Sequence, residues 1–182
     1  VDAEIASIMN QDGLDICLNA RAERVIKSGS QITLGVCEAS ETRTMEGSHL
    51  LVAAGRRPNT EALNLATAGV ATDKHGFITV NSKLETSAPG VYALGDINGG
   101  PQFTHISYDD FRILRTNVIE KGNASTAGRL IPYTVFIDPQ LGRVGLSDSQ
   151  PSEQNNKIRV AKMPMNYVPR APAADDTTRR PE

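Results

Sequence analysis

Residues 49–55, HLLVAAG, form the longest unbroken apolar run in the chain. A strand with one face in water alternates in polarity, whereas a run apolar at every position reads as a strand buried on both faces, as in a parallel sheet covered by helices. The run therefore predicts an α/β fold and excludes a simple helical bundle. It ends at GRRPNT (55–60), where Gly and Pro mark a boundary.

The flanking sequence supplies the other elements of such a fold. Upstream, Ile5, Ile8 and Met9 recur at helical spacing over residues 2–12, and Gly13 stands where a helix C-terminal glycine belongs. LDICL, ARAERVI, SQITLGVCE and TRTMEG then alternate in polarity, with a hairpin turn expected at Ser28-Gly29. Downstream, GFITV (76–80) and GVYAL (90–94) read as strands. Gly95-Asp96 closes the second, and a helix is expected from Phe103 to Glu120 on the spacing of Ile106, Ile113, Leu114 and Val118. PYTVFID, RVGLS and KIRVAKMP (157–164) read as further strands. Pro151 limits any helix starting at Ser147 to about one turn, since a proline deeper in costs about 3 kcal/mol. The polar last twelve residues are expected to be poorly ordered.

Composition narrows the function classes. With 19 basic and 21 acidic residues the net charge is −2, and no basic cluster provides a footprint for nucleic acid. No apolar stretch approaches the roughly 20 residues of a membrane span, and no secretory signal pattern opens the chain, so cytoplasmic is the expected location. Cys17 and Cys37, twenty positions apart, match neither a redox CxxC nor a zinc knuckle, and are expected to be free thiols. His49 and His75 have no ligand spaced nearby, so no metal site is expected.

Three segments in order carry a resemblance: LLVAAGRRPNT (50–60), TSAPGVYALGDINGGPQF (86–103) and IPYTVFIDPQLGRVGLS (131–147). Together they resemble the pyridine nucleotide–disulfide oxidoreductases, the family of dihydrolipoamide dehydrogenase and glutathione reductase. QFTHISYDDFRIL and KMPMNYVPRA look most like its mercuric-reductase-like members. The resemblance runs from Asp2 to about Arg170. It implies residues 1–53 as the end of an NAD(P)-binding domain, 54–126 as the second segment of an FAD-binding domain, and 127–182 as an incomplete dimerisation domain. The chain is thus expected to be the C-terminal portion of such a reductase, and a homodimer or higher oligomer.

The resemblance also implies sites. Gly55 would lie beside the nicotinamide cofactor, where a missing side chain lets the backbone approach; a junction turn with positive φ explains it equally. Asp96 would accept hydrogen bonds from the ribityl chain of FAD at a strand end, the usual ligand position in α/β sheets, although an Asp can also cap the next turn. Gln102, Phe103, Thr104 and His105 would offer backbone to the flavin's pyrimidine edge, where a helix N-terminus favours negative charge. His105 alone could be a surface histidine.

The family's chemistry further requires two GxGxxG fingerprints, two cysteines four residues apart and a C-terminal His–Glu pair. None of these occurs in the sequence, so no catalytic residue is assigned. The expectation is an FAD-dependent, NAD(P)H-linked reductase fragment, inactive alone and holding part of a flavin site. The alternative is a non-catalytic nucleotide-binding or self-associating α/β protein.

Overall fold

A computed structural model of the chain describes residues 2–38, 41–138, 140–145, 161, 163 and 167. It is an α/β structure of two helices and antiparallel strands, in the order α1 (Asp2–Gln11), β1 (Ala20–Ser28), β2 (Gln31–Glu38), β3 (Glu41–Gly47), α2 (Thr104–Val118), β4 (Tyr133–Val135) and β5 (Leu141–Arg143). It divides into two compact units, Val1–Ala54 with Ala161–Glu182, and Gly55–Val160. The expected elements at Ser147, 157–164 and the C-terminal tail lie outside the described residues, apart from isolated positions.

In the first unit, α1 half-buries Ile5, Ile8 and Met9 and stops as its sequence predicts. Gly13 takes φ +87°, which lets the Leu14 N–H reach Met9 O (3.1 Å) and its own N–H reach Asn10 O (3.0 Å). These bonds satisfy carbonyls that the helix end would otherwise leave open. β1, β2 and β3 form the expected antiparallel meander, with a register shift between Ala22 and Arg24. The hairpin turn falls one residue later than expected, on Gly29-Ser30: Ser28 pairs with Gln31, and Gly29 carries the positive φ of 61°. Cys37 lies in β2. Cys17 lies ahead of β1 and accepts a hydrogen bond from Arg43, and both thiols are free and half-buried.

The run at 49–55 overturns the expectation placed on it. It forms no strand, and Leu51 and Val52 are 88% and 75% exposed. A strand buried on both faces needs a hydrogen-bonded neighbour at each edge, and among the described residues none pairs with it.

The second unit has a small core of Val70, Ile78, Ala88 and Ala93, with Leu65, Val80 and Ile97 packed against it. Burying a Val or Ile side chain fully contributes about 1.5–3 kcal/mol, so this cluster organises the loops around it. GFITV and GVYAL place Ile78 and Ala93 in this core but form only isolated bridges, Thr72 with Ile78 and Glu85 with Tyr92. α2 buries Ile106 and Ile113 as expected. Its end is closed by Lys121 at φ 57°, and the Gly122 N–H bonds to Thr116 O at 2.9 Å. A Cβ on Gly122 would come within 2.6 Å of Thr116 Cγ2, so a side chain there would force Thr116 to shift. β4 and β5 pair as a short antiparallel hairpin, with Leu141 and Gly142 opening β5.

Candidate functional site

The site is built where the short 3₁₀ segment Gly95–Asn98 meets α2. Gly95 is buried, has φ +74°, and lies so close to α2 that a Cβ would meet Ser107 Oγ at 2.6 Å. Both torsion and space therefore demand glycine at this position.

Beneath the turn sits Asp110, 1% exposed. Its Oδ2 accepts hydrogen bonds from the Gly95 N–H (2.9 Å) and from Asn98 Nδ2 (3.2 Å), while Oδ1 lies 2.5 Å from Arg129 Nη1. A buried carboxylate is tolerable only when its charge is paired and its oxygens are bonded. Here both conditions are met, and one side chain fixes the turn, the helix and the segment leading to β4. That segment is tied down further by Asn117, which donates to Ala124 O (2.8 Å) and accepts from the Ala124 N–H (2.6 Å), and by the Thr126 N–H on Ser82 O (2.9 Å).

The fixed turn presents Asp96 at the surface, its side chain 48% exposed, with Oδ2 2.6 Å from Arg56 Nη1. The ion pair brings the GRRPNT segment against the Gly-Asp turn. Gly55, one residue earlier, has φ +103° and nothing within 4 Å of an added Cβ, so torsion rather than crowding explains the glycine.

Gln102 and Phe103 lead into α2, with Phe103 extended at φ −127° as its N-cap and no side-chain cap. The first backbone bonds into the helix run from the Ile106 and Ser107 N–H groups to Phe103 O, at 3.1 and 3.0 Å. The N–H groups of Thr104 and His105 therefore precede the bonded turns and point out of the helix end. Thr104 and His105 are exposed, and the His105 ring stacks on Phe103 at 5.4 Å. The structure thus gathers Asp96 and residues 102–105 around one turn–helix junction and joins the Gly55 segment to it through Arg56.

Among the described residues no group of three His, Cys, Asp or Glu side chains could hold a metal, and no helix is long and apolar enough to cross a membrane.

The mixed α/β framework is similar to the fold of the flavoprotein disulfide reductases. The solved HOCl-induced flavoprotein disulfide reductase RclA from Escherichia coli superposes with TM-score 0.83 at 39% identity, over 96% of this chain and 40% of that one. LpdA from Mycobacterium tuberculosis gives 0.80 at 28% identity, over 92% and 36%. The chain belongs to the pyridine nucleotide-disulphide oxidoreductase family, whose model matches residues 1–110. The match falls on the first 110 residues of this chain, and the comparisons do not bear out the expectation that the chain is the C-terminal portion of such a reductase. By sequence it is 40% identical to the probable pyridine nucleotide-disulfide oxidoreductase RclA of E. coli over 95% of its length, and 30% identical to a mercuric reductase of Staphylococcus aureus over 98%. The chain spans 38% and 32% of the lengths of these two relatives.

Proposed function

We propose that this chain carries part of the flavin site of an FAD-dependent, NAD(P)H-linked reductase acting on a disulfide or mercuric ion, and that it does not turn over by itself. In this reading residues 1–53 form a nicotinamide-domain lobe, 54–126 a flavin-domain lobe, and residues from 127 onward an interface lobe that makes the protein a cytoplasmic homodimer. Gly55 would lie next to the nicotinamide.

The observation that carries the reading is the Gly95–Asn98 turn, held from below by buried Asp110 and offering the Asp96 carboxylate to solvent beside the α2 N-terminus. Asp96 would accept hydroxyl hydrogens from the ribityl chain. The Thr104 and His105 N–H groups, with Gln102 and Phe103 as the approach, would face the pyrimidine edge and favour negative charge there. When bound, the flavin would supply the two-electron chemistry. The residues present fit this portion of the cofactor: a polar acceptor and a helix N-terminus stand on one rigid junction. The test is equilibrium dialysis of the purified chain against FAD, read by the yellow absorbance retained. Loss of retention in Asp96→Ala supports the site, and a wild-type chain that stays colourless counts against it.

A non-catalytic, self-associating protein is the second reading, favoured by the exposed apolar residues Leu51, Val52 and Phe136. Light scattering distinguishes monomer from dimer, and a mass near that of one 19.6 kDa chain at high concentration removes the homodimer from both readings.

A further inference from the structure

Asn98–Gly99 is the one Asn-Gly step in the sequence. Asparagine is a thermolabile side chain, and a following glycine has no Cβ to keep its backbone nitrogen away from the side-chain carbonyl carbon. The fold holds both residues in place all the same. Gly99 has φ +73°, and an added Cβ would be strained in torsion and press on Phe77 Cβ and Cγ at 3.1 Å. Asn98 uses its amide at both ends. Nδ2 donates to Asp110 Oδ2 (3.2 Å) and, more weakly, to Ala93 O (3.4 Å), while Oδ1 accepts from the Gly100 N–H (3.0 Å).

The labile step lies within reach of solvent. Asn98 is half-buried and Gly99 exposed, and the Gly99 N–H is held by a long bond to Asp96 O at 3.3 Å. The chemistry needs only water and hydroxide. Hydroxide takes the Gly99 amide proton, the nitrogen attacks Asn98 Cγ, the Cγ–Nδ2 bond breaks, and ammonia leaves with a proton taken from water. Water then opens the cyclic imide at one carbonyl or the other, giving isoaspartate or aspartate.

The bonds on the amide fix Cγ and slow this reaction in the closed turn, and the product cannot remake them. A carboxylate oxygen in the place of Nδ2 has no proton to donate, so it faces Asp110 Oδ2 charge to charge. Asp110 is 1% exposed, where solvent screens such a pair poorly. Isoaspartate also inserts a carbon into the backbone of the 3₁₀ segment.

We propose that Asn98 is a deamidation site, and that its conversion releases the Gly95–Asn98 turn from Asp110, a one-way chemical change built into the junction. It follows from the turn alone, with or without a flavin.

The test is incubation of the full chain at mildly alkaline pH, with peptide mapping by mass spectrometry and isoaspartate read by an isoaspartyl methyltransferase. Asn98 should convert ahead of every other asparagine, Asn81 before Ser82 included, and mostly to isoaspartate. Asp110→Ala, which frees Nδ2, should speed the conversion about tenfold. If that variant unfolds, wild-type chain in urea reads the same release and should convert about tenfold faster than the folded chain. Asn98→Asp keeps the shape of asparagine without its donor and should lower the urea midpoint. Asp110→Asn in that background returns a donor to the contact, so the double variant should lose less than the two single losses combined. Conversion led by another asparagine, or an unchanged rate once the amide is freed, would overturn the site. An Asn98→Asp chain as stable as wild type, or losses that simply add in the double variant, would overturn the release from Asp110.

Discussion

Arg56 Nη1 lies 2.6 Å from Asp96 Oδ2, across forty residues of sequence, and joins the segment after the unit boundary to the turn that carries the candidate polyol acceptor. Both side chains are about half exposed or more, so the pair contributes at most about 1 kcal/mol to stability. Its significance is orientation: one carboxylate oxygen is held, and the other remains for a ligand.

Asp96→Ala should therefore change unfolding free energy by less than about 1 kcal/mol. It should weaken any FAD binding by about tenfold or more, because hydrogen bonds to a charged acceptor are the strong ones. Urea unfolding and FAD dialysis on the same preparation check this. A large stability loss with unchanged FAD retention would make Asp96 a structural cap instead.

Asp110→Ala should have the opposite profile. Removing a carboxylate that is 1% exposed leaves Arg129 without its main partner, the Gly95 N–H unbonded and the Asn98 amide with only its long bond to Ala93 O at 3.4 Å. The expected cost is about 3 kcal/mol. Asp110→Asn keeps an acceptor for the turn and should lose about half as much. Chemical denaturation measures both, and a loss below about 1 kcal/mol for the alanine variant would contradict the buried pair.

Purified chain, with or without added FAD, should show no NAD(P)H-dependent reduction of disulfides, dyes or mercuric ion. Its 182 residues hold no cysteine pair four apart and no GxGxxG turn to bind a pyrophosphate. Steady turnover that disappears in Asp96→Ala would refute this.

Acid should loosen one loop before the rest. At Asp73, desolvation pushes the carboxyl upward, but hydrogen bonds from the N–H groups of His75 (2.8 Å) and Phe77 (2.9 Å) outweigh it and hold the group below its ordinary value. A depressed folded value means that the contribution is present above the unfolded value and is lost as pH falls through the folded one. The His75 and Phe77 amides should accordingly move together, with a midpoint below the ordinary Asp midpoint. NMR titration reads this directly, and movement of both at or above the usual Asp midpoint would show that the bonds do not form.

The helices and the meander were legible because their signals are local: periodicity for α1 and α2, Gly13 for a helix end, alternation for β1–β3. The Leu50–Val52 run misled because the burial of such a run depends on neighbouring strands, which the run itself cannot specify. GFITV and GVYAL, read as strands, place Ile78 and Ala93 in the core but pair only through isolated bridges. Of the site, the grouping of Asp96 with residues 102–105 followed from the resemblance. Asp110 was missed, although the sequence held a signal. It falls at i+4 between Ile106 and Ile113 on the buried stripe of α2, and a charge in such a stripe must find a partner. Arg129, nineteen positions away in a loop, has no periodicity to betray it.

The Asp110–Arg129 pair also has a meaning for anyone recombining this chain with a relative. A crossover placed anywhere between α2 and Arg129, including the 126/127 junction that the resemblance implies, would draw the acid from one parent and its base from the other. Where the second parent lacks the matching base, the chimera would inherit a bare charge beneath the Gly-Asp turn. The permissible exchange point lies after Arg129, so the loop preceding β4 has to travel with the helix it neutralises.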